Sequence, residues 1–554
     1  MDGLPEELFA DILGRLLPRN LAACRSVCHD WRARIDARGM LLAVADLVPR
    51  RMRGIYIHQV SQQRSYAHTC FFSREPAASP GMIDATLRFM PRDGPLGSGC
   101  VLDHRNGLLL YINVTSTLRY VCNPATQRWI ELPAMPFDGL RLRGSEHLVF
   151  DPIMSLHYDV LFFPEPPREH GRGITKHAFE RLFQECPSLG EDWGEHGRVS
   201  NYALASMAWP PVSYPVQVFS SRTGQWKEKR FTREDDTAVT VSDVWSDPLG
   251  WMGNMVRYRV GRYHAVYWRE ALYLHCFGGF ILRFSLQKET YVVIKTPKFV
   301  CRPRSLDSDE RKKVTVWRVY LGKSQQGIYY TALSKNQLRV WVLREAADSH
   351  TVPEWELIHH ADLKPSFSQH YARRRIEEKI DESWNLDRVD QKGCTEDRGG
   401  NEWDSDNDSA IDIGGVEDGE GVGSISDYWD QCVKVRTDLL GFHPHKEIAF
   451  FGKRFDGFAY YLSSSKLQYL GSFRPDGCYH KGAGTYRSFI YTPCMYDMLP
   501  LPEEEENQDE DDEDEDDDDD DEDDDDDGKN YDNEDDDGEE EEEEEEEDED
   551  IHWI

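Results

Sequence analysis

Residues 119–132 read Arg119-Tyr-Val-Cys-Asn-Pro-Ala-Thr-Gln-Arg-Trp-Ile-Glu-Leu132, and a similar arrangement occurs at three later points in the chain. In each copy a mostly apolar run leads to an Asn or Ser, and an aromatic residue follows six positions later. The pairs are Asn123 with Trp129, Ser220 with Trp226, Ser285 with Tyr291, and Ser463 with Tyr469. Asn and Ser side chains hydrogen-bond the backbone of turns, and an aromatic residue in the return strand packs over its cross-strand neighbour. The repeat therefore predicts a series of β-hairpins.

Further strands extend this pattern along residues 53–494. A fifth hairpin with a longer turn joins Arg339-Val-Trp-Val-Leu to Trp355-Glu-Leu-Ile. Most hairpins follow another apolar strand, and these strands begin at Gly107, Ala271, Gly327 and Glu447. A repeated sheet with exposed edges is prone to aggregation, and radial closure removes most of that edge.

The expected fold class is therefore mainly β, with a propeller-like domain of about six blades. Strands near 53–72 and the stretch Ser488-Phe-Ile-Tyr-Thr492 are expected to share the closing blade. A β-sandwich remains the alternative, because the hairpin turns are irregularly spaced along the chain.

The first forty residues have a different, helical periodicity. Apolar residues recur at helical spacing from Leu4 to Leu17, Pro5 suits a first helical turn, and Asn20 can cap the next helix. About three short helices are predicted before Pro49. So short a segment buries little surface by itself, and its surplus of large apolar residues predicts an exposed stripe that binds a partner. Packing of these helices onto the rest of the chain is the alternative.

Residues 4–32 carry a specific combination of motifs. They contain a Leu-Pro start, Ile-Leu-x-x-Leu in the first helix, a Pro-x-x-Leu turn and a Val-Cys-x-x-Trp ending. This stretch resembles an F-box, with His29 departing from the basic residue common in that family. The resemblance implies docking to a Skp-type adaptor, which connects to a cullin scaffold. The adaptor-facing positions would be Leu4, Pro5, Ile12, Leu16, Leu21, Cys24, Val27, Cys28 and Trp31.

Several short motifs in the β region resemble the F-box-associated domain of plant F-box proteins. They are Asn106-Gly-Leu-Leu, Cys122-Asn-Pro-Ala-Thr-Gln-Arg-Trp129, Phe150-Asp-Pro152, Ala271-Leu-Tyr and Gly441-Phe-His-Pro444. The resemblance implies that this region binds a protein target. The chain would then be a non-catalytic receptor subunit of a Skp-cullin-F-box ubiquitin ligase, without a cofactor.

Charge divides the chain into a neutral body and an acidic tail. The net charge is −38, yet residues 501–554 contain 40 acidic residues and a single basic one, Lys529. The body, with 62 acidic and 63 basic residues, lacks the basic excess typical of nucleic-acid binding. The tail is expected to be disordered, and it leaves open another function: an adaptor-independent scaffold or chaperone-like protein that binds basic partners.

Composition also defines the expected domains and insertions. We expect an F-box at 1–45, a β domain at 50–500 and the tail at 501–554. Two insertions interrupt the β domain: residues 164–213, interpreted as a long loop with room for one short helix, and residues 373–428, interpreted as disordered because they are acidic and Gly-rich.

Sequence motifs for catalysis or metal binding are weak. Cysteines lack C-x-x-C spacing, and the pair His443 and His445 has no supporting Cys or carboxylate nearby in sequence, so no metal site is expected. A propeller enzyme with polar groups in a central channel is a further alternative. The N-terminal stretch does not resemble a signal peptide, and no apolar run is long enough to span a membrane. The expected location is the cytoplasm, the nucleus or both.

Overall fold

The structure is a computed structural model of the 554-residue chain. It describes residues 52–60, 67–74, 83–91, 99–113, 116–136, 144–152, 154–166, 204–246, 264–276, 278–297, 317–334, 336–344, 353–376, 384–388, 437–474, 484–495 and 499, with single N-terminal residues at 12, 13, 24, 31, 34 and 35. The chain divides into two units, Met1–Pro502 and Glu503–Ile554, and all described residues belong to the first.

The described part of the chain is mainly β, as expected from the hairpin repeat. Its strands are β1 (Gly54–Val60), β2 (Ala67–Ser73), β3 (Gly99–Arg105), β4 (Leu108–Asn113), β5 (Arg119–Asn123), β6 (Arg128–Glu131), β7 (Gly144–Val149), β8 (Asp159–Pro164), β9 (Ala208–Trp209), β10 (Ser213–Ser220), β11 (Gln225–Arg233), β12 (Val239–Thr240), β13 (Ala265–Trp268), β14 (Ala271–Cys276), β15 (Phe280–Ser285), β16 (Thr290–Lys295), β17 (Arg318–Ser324), β18 (Gly327–Ser334), β19 (Gln337–Arg344), β20 (Glu354–Asp362), β21 (Asn385–Arg388), β22 (Thr437–Phe442), β23 (Ile448–Lys453), β24 (Asp456–Tyr461), β25 (Lys466–Ser472) and β26 (Gly484–Tyr491). Two helices accompany them, α1 (Val241–Trp245) and α2 (Lys364–Ile376).

The strands assemble into groups of four. Four sheets have the orders β21-β2-β1-β26, β3-β4-β5-β6, β17-β18-β19-β20 and β22-β23-β24-β25. An eight-stranded sheet contains two further groups, β7-β8-β10-β11 and β13-β14-β15-β16. These two are joined by a short parallel pairing of Thr232 and Arg233 with Thr290 and Tyr291. Strands β9 and β12 form a separate two-stranded ribbon.

One end strand of each group lies toward the interior of the unit. Strand β26 lies next to β3, β3 next to β7, β13 next to β17, β17 next to β22, and β22 next to β26. Apolar side chains fill the space between the groups; Phe163, Phe284 and Leu272, for example, belong to one buried cluster. Burial of this apolar surface is the main stabilising contribution to such a fold.

The four repeated hairpins share one turn geometry. The last residue of each first strand pairs with a residue five positions later: Asn123 with Arg128, Ser220 with Gln225, Ser285 with Thr290, and Tyr461 with Lys466. The fourth turn residue has a positive φ in every case, at Gln127, Gly224, Glu289 and Ser465. The predicted hairpins are therefore present, and a left-handed residue at a fixed position sets their register.

The predicted position of the fourth hairpin turn is wrong by two residues. Strand β24 ends at Tyr461, before Ser463, and Tyr469 pairs with Phe458 deep in the hairpin. Three consecutive serines at 463–465 offer equivalent positions for a turn opener. The positive φ of Ser465 selects one register among them.

The N- and C-terminal parts of the β region share one sheet, as predicted. Strand β1 pairs with β2 and with β26, so that Tyr56 lies opposite both Phe71 and Phe489. The fifth hairpin is also present, with Leu343 opposite Trp355.

Parts of both predicted insertions form ordered structure. The prediction of disorder across 373–428 is wrong at its start, because α2 continues to Ile376. It is also wrong at Asn385–Arg388, which forms β21 on the edge of β2. Trp384 is 2 % exposed and its ring packs against Phe72 in a tilted arrangement, with 5.0 Å between ring centroids, so this aromatic anchors the segment. Residues 377–383 and 389–436 lie outside the described residues.

The other insertion, 164–213, ends in packed structure rather than loop. Leu204 and Trp209 are buried in the same cluster as Tyr214, and Trp209 lies in β9. Apolar burial outweighs the Pro-rich composition that suggested a loop. Residues 167–203 lie outside the described residues.

Candidate functional site

The N-terminal segment packs part of its apolar surface onto the β region. Leu13 and Ile35 are each 1 % exposed and belong to one apolar cluster with Leu110 and Val121 of β4 and β5. Cys24 and Trp31 are half-buried at the margin of that cluster. The alternative interpretation, that these helices pack onto the rest of the chain, is therefore correct for Leu13 and Ile35.

The side chain of Ile12, in contrast, is exposed to solvent. It is 46 % exposed although its neighbour Leu13 is buried, so the helix at this point has an inner apolar side and an outer apolar side. This exposure leaves the Ile12 side chain accessible to a partner protein. Among the predicted adaptor-facing residues, Leu4, Pro5, Leu16, Leu21, Val27 and Cys28 lie outside the described residues.

A second candidate site lies among the end strands of the six groups. A cavity of about 360 Å³, here called the end-strand cavity, is lined by residues from β3, β7, β13, β17, β22 and β26 and the loops that follow them. Its charged lining residues are Asp103, Arg105, Asp151, Arg269, Lys323 and Arg487. Aromatic walls come from Tyr267, Trp268, Tyr320, Phe442 and Phe489.

Asp103 is the most thoroughly bonded group in this cavity. One carboxylate oxygen accepts from the backbone N–H of His104 at 2.9 Å, and the other accepts from the N–H of Leu148 at 3.0 Å. Arg105 Nη1 lies 3.4 Å from the first oxygen and His147 Nδ1 3.5 Å from the second. Burial opposes ionisation of Asp103, but these partners prevail and hold its pKa at about 2. The carboxylate therefore ties β3 to β7.

The buried histidines beside Asp103 are neutral near pH 7. Burial, together with nearby Arg105, lowers the pKa of His104 to about 3, and burial also lowers the pKa of His147. His104 Nε2 accepts from the N–H of Gly107 at 3.1 Å, within the tight turn between β3 and β4. Because Asp103 and His104 are each engaged in backbone hydrogen bonds, the geometry favours a structural role for them over catalysis.

Two cationic residues of the cavity, Arg105 and Lys323, have fewer partners than Asp103. Arg105 donates to the carbonyls of His104 and Ala265, but its buried Nε has no hydrogen-bond acceptor among the described residues. The side chain of Lys323 is solvent-accessible within the cavity and makes no hydrogen bond or ion pair with a described residue. Arg487 donates to the carbonyl of Leu102 at 2.5 Å and lies over the ring of Phe489.

Sequence reasoning missed these cavity residues. Each is a polar residue in or beside an otherwise apolar strand, as with Asp103 and Arg105 in the almost wholly buried strand β3. A charge in a buried strand is an available signal, because such groups occur only when paired or facing a cavity. The convergence of six strands distant in sequence is visible only in three dimensions.

The motifs quoted for the β domain have structural roles. Asn106 has a positive φ and donates to the carbonyl of Phe150 at 2.8 Å. Asn123 is fully buried, donates to the carbonyl of Cys494 at 2.9 Å and accepts from the N–H of Ala125. These hydrogen bonds give Asn106 and Asn123 a role in holding the fold, which accounts for both residues without a role in target binding.

The described ranges contain neither a metal-binding cluster nor a membrane-spanning helix. No group of three or more His, Cys, Asp or Glu residues there is arranged to hold a metal ion. The rings of His443 and His445 lie 6.3 Å apart, and His443 Nδ1 instead accepts from the N–H of His445. No helix in those ranges is both long and apolar enough to cross a bilayer.

Comparison with known proteins bears on the N-terminal segment. The model of the F-box-like family matches residues 1–38. No curated protein matches the chain. F-box domains in general bind Skp-type adaptors within cullin-RING ligases, and F-box proteins are typically non-catalytic receptor subunits. The chain therefore carries an F-box-like domain at residues 1–38, which supports a general role in substrate recognition by a Skp-cullin-F-box ubiquitin ligase.

Proposed function

We propose that this protein is a substrate-recognition subunit that docks a Skp-type adaptor through residues 1–38 and a protein target through its β domain. The observation that carries the proposal is the match of the F-box-like family to this segment. The exposed side chain of Ile12 on the outer side of a helix whose inner side is buried supports it. We assign adaptor contact to the nine positions named from the F-box resemblance.

We further propose that the β domain is a six-bladed propeller of the kind found in plant F-box proteins with an F-box-associated domain. Six groups of four strands support this arrangement, as does the order in which their end strands neighbour one another. The end-strand cavity would then lie on the propeller axis. Closure of the ring through β1, β2 and β26 would leave few unpaired edges.

In this mechanism the protein makes and breaks no bonds and needs no cofactor. It holds a target beside the ubiquitin carrier of the ligase, and thereby raises the effective concentration of the target's lysines. The compartment would be the cytoplasm, the nucleus or both.

The adaptor interaction is testable at Ile12. The variant Ile12→Glu places a charge on the exposed outer side of the helix, so it should leave the unfolding temperature unchanged. Loss of an apolar contact worth about 1.5–3 kcal/mol, together with burial of a carboxylate, should weaken adaptor binding at least tenfold. Surface plasmon resonance with a purified plant Skp-type adaptor measures the dissociation constant.

Met154→Glu is the matched control, because Met154 is 56 % exposed and lies in the β region. It should bind the adaptor like the wild type. Equal affinity of the wild type and Ile12→Glu would refute adaptor docking through this surface.

The acidic tail supports a second candidate function, the binding of basic proteins. Forty acidic residues in 501–554 would attract cationic partners in a salt-dependent manner. Deleting 501–554 should abolish binding to a basic probe such as a purified histone while retaining adaptor binding. Retained, salt-sensitive histone binding by the deletion variant would exclude the tail as the binding element.

A further inference from the structure

We propose that the end-strand cavity is a binding site for a small organic carboxylate, recognised by Arg105, Lys323 and Arg487. This goes beyond the proposed receptor function and does not depend on it. The size of the cavity is the first argument. Its volume of about 360 Å³ falls within the roughly 300–1,000 Å³ that small-molecule sites occupy.

The composition of the walls is the second argument. Aromatic side chains, including Tyr267, Trp268 and Phe489, line the cavity together with cationic groups. Small-molecule sites commonly combine apolar walls with a few polar groups that fix the orientation of a ligand. This mixture suits an organic ion with an apolar body and one charged end better than it suits an inorganic ion.

The balance of charge indicates the sign of that end. The charged lining residues are four cations, Arg105, Lys323, Arg487 and Arg269, and two carboxylates, Asp103 and Asp151; Arg269 also lies over the ring of Trp268 at 4.3 Å. The pKa values of His104 and His147 are lowered, so these rings add no positive charge near pH 7. The cavity lining therefore has an excess of positive charge, which favours an anionic ligand.

The engagement of these groups shows which donors are available to a ligand. Asp103 is held by two backbone N–H groups and by Arg105, so it does not compete for Lys323. Lys323 lacks a hydrogen-bonded partner among the described residues, and burial lowers its pKa despite the influence of Asp151. A bound carboxylate would give the ammonium a partner and offset its desolvation. The buried Nε of Arg105 likewise has no acceptor among the residues that the structure describes.

The probe pair 4-fluorobenzoate and 4-fluorobenzamide tests the inference on the full chain. The two molecules have nearly the same shape and differ in charge. Titration followed by fluorine NMR should show saturable binding of the carboxylate and at least tenfold weaker binding of the amide, because a charge-assisted hydrogen bond is lost. Absence of saturable carboxylate binding to the wild type, or equal binding of both probes, would overturn the proposal.

Variants at Lys323 locate the binding. Lys323→Met should weaken 4-fluorobenzoate binding about tenfold, whereas Lys323→Arg should keep most of the affinity. Since the Lys323 side chain makes no hydrogen bond to a described residue, both variants should retain the wild-type unfolding temperature. Lys364→Met is the matched control, because Lys364 is exposed at the start of α2 and does not line the cavity. Wild-type affinity in Lys323→Met would refute the assignment.

Discussion

Replacing Asp103 with Asn should destabilise the β domain more than any comparable change of an exposed carboxylate. The folded pKa of Asp103 is about 2, against an ordinary value of 3.8. At about 1.36 kcal/mol per unit of pKa, ionisation of this carboxylate contributes roughly 2–3 kcal/mol to stability at neutral pH. The amide NH₂ of Asn would also face the backbone N–H of His104 or Leu148. Two donors would then point at each other, and the loss of that hydrogen bond costs about 1–3 kcal/mol more.

The expected loss is therefore about 3–6 kcal/mol, measured by urea unfolding at pH 7 with tryptophan fluorescence. The matched control is Asp236→Asn, at an exposed position of the same residue type, which should change stability by less than about 0.5 kcal/mol. A loss in Asp103→Asn of the same size as in this control would refute the bonding scheme.

The pH dependence of the wild type follows from the same pKa. Because the folded pKa is depressed, the contribution of the ionised carboxylate is fully present above pH 3.8 and is lost as the pH falls through about 2. The difference in free energy of unfolding between the wild type and Asp103→Asn should accordingly be constant above about pH 5 and shrink in acid. A difference that grows on acidification would contradict the assignment.

Two further predictions concern the backbone and the core. Gly107→Ala places a methyl group against the backbone of Cys494 at a φ of +94°, and should cost about 2–5 kcal/mol in thermal or urea unfolding; Gly224→Ala, at a φ of +66° in open space, should cost only about 1–2 kcal/mol. Equal losses would show that the close approach to Cys494 is unimportant. Trp384→Ala should destabilise the protein by about 3–5 kcal/mol because the ring is buried against Phe72, whereas Leu357→Ala, at a half-exposed position, should have little effect. A loss below about 1 kcal/mol in Trp384→Ala would show that this segment is not packed into the core as described.

The hairpins were predictable because they depend on local chemistry. An Asn or Ser before a four-residue turn and an aromatic in the return strand leave a signal within a dozen residues, as at Asn123 and Trp129. The same reasoning failed at Ser463, where three adjacent serines are chemically equivalent. The positive φ at Ser465 decides between them, and packing of the whole hairpin determines which residue adopts it.

Amino-acid composition predicted disorder in a segment that is partly ordered by burial of one aromatic residue. The segment 373–428 has the average composition of a disordered linker, yet Trp384 within it is buried and β21 extends a sheet. One large aromatic that finds a complementary apolar surface outweighs the polar residues around it. That surface is formed by Phe72 and Phe473, which lie far from Trp384 in sequence.

The sequence by itself determined the two classes of secondary structure, the F-box-like motif at the N-terminus and the sharing of one sheet by the first and last strands. Each of these follows from spacing along the chain or from residue types that favour one local geometry. Only the tertiary structure decided that Leu13 packs inward while Ile12 remains exposed, and that Arg105, Lys323 and Arg487 line one cavity. These facts depend on distances between residues separated by tens to hundreds of positions, and local propensity carries no information about them.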